Sequence, residues 1–513
     1  MISRSAAGRI PDVIPLDGSA ALSREVVGNK GFGVNAMRAH GLPVPPAFCV
    51  STNACARWFD DPVATMEAIW PDVLAEIGRL EDETSRTFGA GPRPLLVSVR
   101  SGAAQSMPGM LDTVLNLGIN DAVEKAMAQE FSESFARDTH ERFRRMYRSI
   151  VLADDHADVP DDPHRQLRDA IQAVFKSWNG DRAVTYRRHH GLNDIAGTAV
   201  VVQAMVFGNR DTKSGTGVLF TRDPRTGANT PFGEWLAGGQ GEDVVSGTVD
   251  VEPISALAQQ LPSVYDELMR AARSLEELTR DVQDIEFTVE DSKLWLLQTR
   301  RAKRSAQAAV RLALAFRREG LIDDVQALSR VTPDDVRTLL MPALQPETRL
   351  AATLLASGLA ASPGVATGRA YTDVDEAIDA AERDEDVILV RTATSPDDVA
   401  GMLAARGIVT ETGGATSHAA VVSRELGRPS VVGCGRGVAE ALDGKLITVD
   451  GNEGEVREGV LELTAWSEDD SPDLKELTEI AYRHSALRAG APGDTPLVTM
   501  LTAIQRTQEG DTP

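Results

Sequence analysis

Gly413 Gly414 Ala415 Thr416 Ser417 His418 Ala419 Ala420 Val421 Val422 Ser423 Arg424 Glu425 Leu426 Gly427 Arg428 Pro429 is the stretch around which this 513-residue chain is organised. Before it, Gly407 to Thr410 has the apolar, branched character of a buried strand; after it, Ala419 to Leu426 has helical spacing and runs into Gly427 and Pro429, which stop a helix. His418 therefore falls on a glycine-rich turn that opens a helix. Free backbone N–H groups and the positive end of the helix dipole converge at such a place and favour an anion such as phosphate. The same field lowers the imidazole pKa, so the ring stays neutral and nucleophilic near neutral pH. A histidine that is to carry a phosphoryl group needs both properties. The bland alternative is a helix cap or a surface residue.

Working outward, the length implies roughly two to four domains. A hydrophobic share of 42% with 25% charged residues is that of a water-soluble globular protein. The net charge of −23 argues against nucleic acid and against anionic membrane surfaces as partners, so any polyphosphate site must gather its basic residues locally. Cys49, Cys55 and Cys434 are too sparse for a disulfide framework and suit a reducing compartment. The segment from Met1 to Gly18 lacks a signal-peptide core, and no stretch reaches the roughly 20 apolar residues of a membrane span. These features predict a cytoplasmic protein.

Lys30 sits in the run Gly28 Asn29 Lys30 Gly31 Phe32 Gly33, a glycine turn leading into a short helix, which can bring an ammonium against phosphate. A strand ending at Arg100 then enters the small-residue loop Ser101 to Met110, where backbone amides and a guanidinium can grip phosphate oxygens. No Gly-Lys-Ser/Thr follows, so this is not a Walker loop. Phe143, Met146, Tyr147 and Ile150 recur at helical spacing and read as core packing. Farther on, Gln283 to Val289 and Lys293 to Arg300 alternate as a hairpin, with Asp284 and Glu286 on one face of the first strand and Gln298 and Arg300 on one face of the second. Such oxygen ligands, used with substrate phosphates, are what Mg²⁺ takes. An exposed hairpin with ordinary polar alternation remains the bland alternative.

The string Gly-Gly-Ala-Thr-Ser-His-Ala-Ala-Val-Val-Ser-Arg, followed by Pro-Ser-Val-Val-Gly-Cys-Gly, resembles the phosphohistidine signature of the dikinases that interconvert pyruvate and phosphoenolpyruvate (PEP). The segments Gly28 to Thr52, Leu95 to Gly118, Ala173 to Arg187, Val201 to Gly247 and Asp281 to Arg300 resemble, in order and spacing, the nucleotide-binding half of pyruvate phosphate dikinase. The resemblance implies an α/β, multidomain architecture. An ATP-grasp nucleotide-binding domain over residues 1–300 is joined by helical linkers at 301–355 to a swivelling β/β/α phosphohistidine domain at 356–463; residues 464–513 form a tail resembling the start of the family's PEP- and pyruvate-binding barrel. It implies catalytic roles for His418, Arg100 and Lys30. It places ATP contacts at Lys30, Arg100, Gly109, Asp112, Thr113, Asp284, Glu286, Gln298 and Arg300, Mg²⁺ ligands at Glu286 and Gln298, and a regulatory phosphorylation at Thr416. Departures from the family pattern lie at Asn29 and Phe32 around the lysine and at Ala104 Gln105 in the loop.

The activity so implied is a transfer in which ATP and phosphate phosphorylate His418, giving AMP and pyrophosphate, with the phosphoryl group passed to pyruvate only if a separate PEP/pyruvate-binding protein exists. Three other readings stay open: a regulatory phosphocarrier without turnover, a water-using relative of PEP synthase, and an antibiotic phosphotransferase. The short 301–355 segment leaves little room for the drug-binding domain that the last requires.

Overall fold

The computed structural model describes residues 11–105, 107, 110–189, 192, 197–246, 249, 251–340, 343–344, 346–464, 471–484 and 497–510. By its contacts the chain divides into two units, Met1–Gly215 with Phe287–Arg300, and Thr216–Glu286 with Arg301–Pro513. It is a mixed α/β chain with several sheets, as the sequence predicts. Among the described residues no helix is long and apolar enough to cross a membrane.

The first unit is built on a sheet in the order Val13–Pro15, Ala47–Val50, Ala199–Ala204, Val97–Gly102, Thr113–Leu117, with antiparallel pairing throughout. Ala199–Ala204 is central and buried at all six positions, which is why its sequence is apolar but for Gln203, with Val200, Val201 and Val202 in a row. It stops at Ala204 rather than reaching Phe207, whose ring joins the core beyond the strand. Helices Pro62–Thr84, Glu133–Tyr147 and Pro163–Ser177 bury stripes such as Ile69, Val73, Ile77 and Leu80 in the same core. Phe143 and Tyr147 are buried there, with Met146 and Ile150 packed against that core.

Two local expectations are refined. The strand carrying Arg100 continues to Gly102, because Ser101 and Gly102 still pair with Val200 and Ala199. Lys30 lies just past the kink at Gly28 (φ 68°, ψ 172°), in the first turn of the second of two helices that meet within Arg24–Ala39. The hairpin is as expected: Gln283–Glu290 and Lys293–Arg301 are neighbouring strands. Asp291 and Ser292, at φ 50° and 63°, make the two-residue turn whose twist suits a hairpin.

In the second unit, strands Glu252–Pro253, Phe232–Ala237 and Gly215–Phe220 follow in hydrogen-bonded order and continue to Gln283–Glu290. An eight-stranded sheet runs Leu354–Ser357, Glu455–Glu458, Leu446–Asp450, Val365–Tyr371, Val387–Arg391, Gly407–Thr410, Ser430–Val432, Leu359–Ser362. Its middle, from Val365–Tyr371 to Ser430–Val432, is parallel. The connections between those parallel strands carry the helices Val374–Glu382, Val399–Ala404 and His418–Leu426.

One core packs Val218 and Phe220 of the strand Gly215–Phe220 against the helices Ala306–Arg318, Asp324–Ser329, Pro333–Leu339, Pro472–His484 and Leu497–Gly510. Pro333 and Pro346 each open a new helix, where the missing N–H costs no intrahelical bond. Residues 487–496, read from the sequence as the start of a barrel, lie outside the described residues.

Candidate functional site

In the second unit His418 is the first residue of the helix His418–Leu426, at the carboxyl end of Gly407–Thr410. Loops at the carboxyl ends of parallel strands are where such sheets place ligands. Gly413 is at φ 116°, and a Cβ there would lie 2.9 Å from Ser417 Oγ, so only glycine fits the turn. Ser417 caps the helix by accepting from the Ala420 N–H at 3.4 Å.

The neighbouring strand Val387–Arg391 leads to Thr394, whose hydroxyl lies 3.0 Å from His418 Nδ1. Nε2, the other ring nitrogen, is buried without a hydrogen-bond partner among the described residues. In the tautomer that donates Nδ1–H to the Thr394 hydroxyl, Nε2 presents its lone pair. Burial pushes the His418 pKa below its ordinary value and the Asp398 carboxylate acts weakly the other way. The ring is thus kept neutral by desolvation, a cause the sequence did not reveal.

The turn before the histidine is held by two side chains. Arg424 donates to the carbonyls of Ala415 at 2.8 Å and Ala361 at 3.0 Å. Burial lowers its pKa to about 10, opposed by the carboxylates of Asp284, Glu234 and Asp223. Glu234, on Phe232–Ala237, accepts from the Ala415 N–H at 2.7 Å and from the Thr416 hydroxyl. Thr416 is accordingly buried. Asp284 and Glu286 belong to this unit, Asp284 buried and Glu286 half-buried.

The first unit holds the other expected phosphate contacts. Gly28 has a backbone conformation confined to glycine, and a Cβ there would lie 1.7 Å from the Gly102 carbonyl oxygen. The Asn29 N–H donates to Ala103 O at 2.8 Å. These contacts lay the Lys30 turn on the end of the Arg100 strand, where the Lys30 Cβ is 3.5 Å from the Cβ position of Gly102. Arg100 Nη2 donates to Gln298 Oε1 at 3.3 Å, and Thr113 is the register partner of Arg100.

Gln298 and Arg300 share one face of their strand with Leu294 and Leu296; Gln298 is buried and Arg300 half-buried. Asp112 donates its N–H to Ser177 Oγ at 3.3 Å and pairs with Arg182 at 3.4 Å, while burial raises its carboxyl pKa. Gly109 lies outside the described residues.

Glu286 in the second unit offers a carboxylate and Gln298 in the first an amide oxygen, each singly a hard-oxygen donor of the kind Mg²⁺ takes. In the first unit Asp121, Glu124 and His140 also bring ligand atoms within 4.8 Å of one another. There His140 is already bound to Glu124 and Arg144 to Asp121, so the group reads as a helix-to-helix tie.

Two family models match the chain. Residues 63–264 match the AMP/ATP-binding domain of pyruvate phosphate dikinase, and residues 383–454 match the mobile domain of PEP-utilising enzymes. The chain carries an ATP-binding domain of the pyruvate phosphate dikinase type and a mobile domain of the PEP-utilising type. It is 38% identical to the pyruvate, phosphate dikinase of Clostridium symbiosum over 96% of its own length and 63% of that protein. It is 40% identical to the Rhizobium meliloti enzyme, covering 87% of this chain and 57% of that protein. The figures for pyruvate, phosphate dikinase 2 of Zea mays are 40%, 85% and 54%. The chain thus spans between half and two thirds of the length of these relatives. In family terms His418 lies in the mobile module, and Lys30 precedes the matched part of the nucleotide module.

Sequence reasoning missed Glu234, Thr394 and Arg424. Glu234 carries one signal, a charged residue inside the otherwise apolar strand Phe232–Ala237; the other two carry none that separates them from ordinary loop and helix residues.

Proposed function

We propose that this chain is an ATP-dependent phosphotransferase of the pyruvate, phosphate dikinase type, with His418 as the carrier. Residues 1–300 bind the nucleotide, 301–355 link, 356–463 carry the phosphoryl group and 464–513 form a tail. The supporting observation is the buried, unpartnered Nε2 of His418, set neutral on a phosphate-favouring turn while Thr394 occupies Nδ1.

Nε2 attacks the β-phosphorus of ATP, the bond from that phosphorus to the α,β-bridging oxygen breaks, and AMP leaves with the electron pair. An oxygen of inorganic phosphate then attacks the terminal phosphorus, the bond from that phosphorus to the β,γ-bridging oxygen breaks with its electron pair left on the phosphohistidine, and the terminal phosphoryl group departs with the attacking phosphate as pyrophosphate. Lys30 and Arg100 hold the phosphate oxygens, Arg100 oriented by Gln298. Asp112, Thr113 and Gly109 lie in the segment that covers the phosphates, and Asp284 and Arg300 complete the nucleotide contacts. When bound, Mg²⁺ supplies charge neutralisation at the phosphate oxygens, with Glu286 and Gln298 as its protein ligands. The phosphoryl group goes on to pyruvate through a PEP/pyruvate-binding partner, and phosphorylation of Thr416 regulates the carrier by setting a second phosphate two residues from His418.

Quantifying AMP released from ATP, with and without inorganic phosphate, tests this reading. Release of AMP and pyrophosphate that requires phosphate supports it. AMP release that proceeds with water alone moves the chain to the water-using branch, and no AMP under either condition refutes turnover.

A further inference from the structure

Inside the second unit the carboxylate of Glu234, within the residues matched to the nucleotide module, contacts the mobile module. Glu234 stands on the Phe232–Ala237 strand and is only 8% exposed. The strand is fixed by its neighbours: a Cβ at Gly233 would lie 2.1 Å from the Val218 carbonyl oxygen, and Trp235, on the opposite face, is buried and ties its Nε1–H to Gln260 Oε1 at 2.8 Å. From this platform the carboxylate reaches 181 residues along the sequence to the Ala415 N–H and then to the Thr416 hydroxyl.

Gly414 makes room for it, because a Cβ at 414 would lie 2.1 Å from Glu234 Oε1. Arg424 holds the other side of the same residue through the Ala415 carbonyl. Ala415 is thereby fixed at both its N–H and its C=O, three residues before the carrier histidine.

We propose that Glu234 is a positioning residue that docks the carrier loop, holding Ala415 and Thr416 so that the open nitrogen of His418 is fixed while it collects its phosphoryl group; the collecting step rests on the function proposed above. A buried carboxylate must have donors. Here the donors belong to the module that has to leave, so undocking exposes the carboxylate and the Thr416 hydroxyl to water. The contact is a reversible catch, strong enough to orient the loop and weak enough to release it.

The test is amide hydrogen exchange of the peptide spanning 411–426, with that of 215–220 as internal control, alongside the rate of phosphohistidine formation, in wild type, Glu234→Gln, Thr416→Val and the double variant. Loss of a charge-assisted hydrogen bond is expected to speed exchange of the loop roughly ten- to hundredfold. The control peptide stays unchanged, labelling slows by the same order, and the double variant is no worse than Glu234→Gln because both remove one interaction. Wild-type exchange and labelling in both single variants would overturn the proposal. If Glu234→Gln loosens the control peptide as well, Thr416→Val decides, since it leaves the strand intact, and unchanged loop exchange there overturns it. A wild type that forms no phosphohistidine defeats the catalytic reading alone, and the exchange arms still decide the catch.

Discussion

The Thr394 hydroxyl lies 3.0 Å from Nδ1 of His418, across two adjacent parallel strands, and leaves Nε2 as the nitrogen without a partner among the described residues. Thr394→Val keeps the shape of the side chain and removes the hydrogen bond that orients the ring and selects its tautomer. A neutral hydrogen bond contributes about 1 kcal/mol, so phosphohistidine formation should slow about fivefold, with little change in ATP affinity. Single-turnover labelling alongside nucleotide titration checks the split.

The pH response follows from burial. The His418 pKa is held below its ordinary 6.5 by desolvation, with Asp398 pulling weakly upward. With the neutral ring as the proposed nucleophile, the acid limb of the labelling rate should lie below pH 6.5. Asp398→Asn should move it farther to acid. For stability the sign is the same: between the depressed folded value and the unfolded one the unfolded chain binds more protons, so this contribution is complete above the unfolded value and is lost as pH falls through the folded one. Titration of the His418 ring by NMR reads the midpoint directly.

Arg100→Lys removes the planar fork that Gln298 orients. If Arg100 grips phosphate, ATP affinity should fall roughly tenfold or more, in line with the value of a charge-assisted hydrogen bond. Calorimetric titration with a non-hydrolysable ATP analogue measures it, and an unchanged affinity removes Arg100 from the phosphate site.

Gly28→Ala should destabilise the first unit by at least about 2 kcal/mol, since its backbone angles are confined to glycine and the new Cβ would lie 1.7 Å from Gly102 O. The Lys30 turn would lift from the Arg100 strand. Urea unfolding followed by circular dichroism gives the loss, and a midpoint equal to that of wild type would contradict this packing.

Much of the carrier sheet was legible in the sequence. Val387–Arg391, Gly407–Thr410, Ser430–Val432 and Leu446–Asp450 are short apolar runs bounded by Gly, Pro or charged residues, and the strands have those bounds. The helix at His418 was readable because Gly427 takes the left-handed conformation (φ 63°) that ends it. The Gly28 break was not, since a glycine pattern reads equally as a turn or as a helix with one deviant residue. Glu234 and Thr394 were illegible for another reason. Their role rests on contacts 182 and 24 residues away in sequence, which no local period records.

The most direct measurement is labelling with ATP carrying ³²P at the β-phosphate, in the presence of Mg²⁺ and phosphate, followed by peptide mapping. The expected result is acid-labile, base-stable label on the peptide containing His418, absent in His418→Ala. Wild-type protein that binds ATP and takes up no label, or label that persists in His418→Ala, would contradict the assignment of His418 as the carrier.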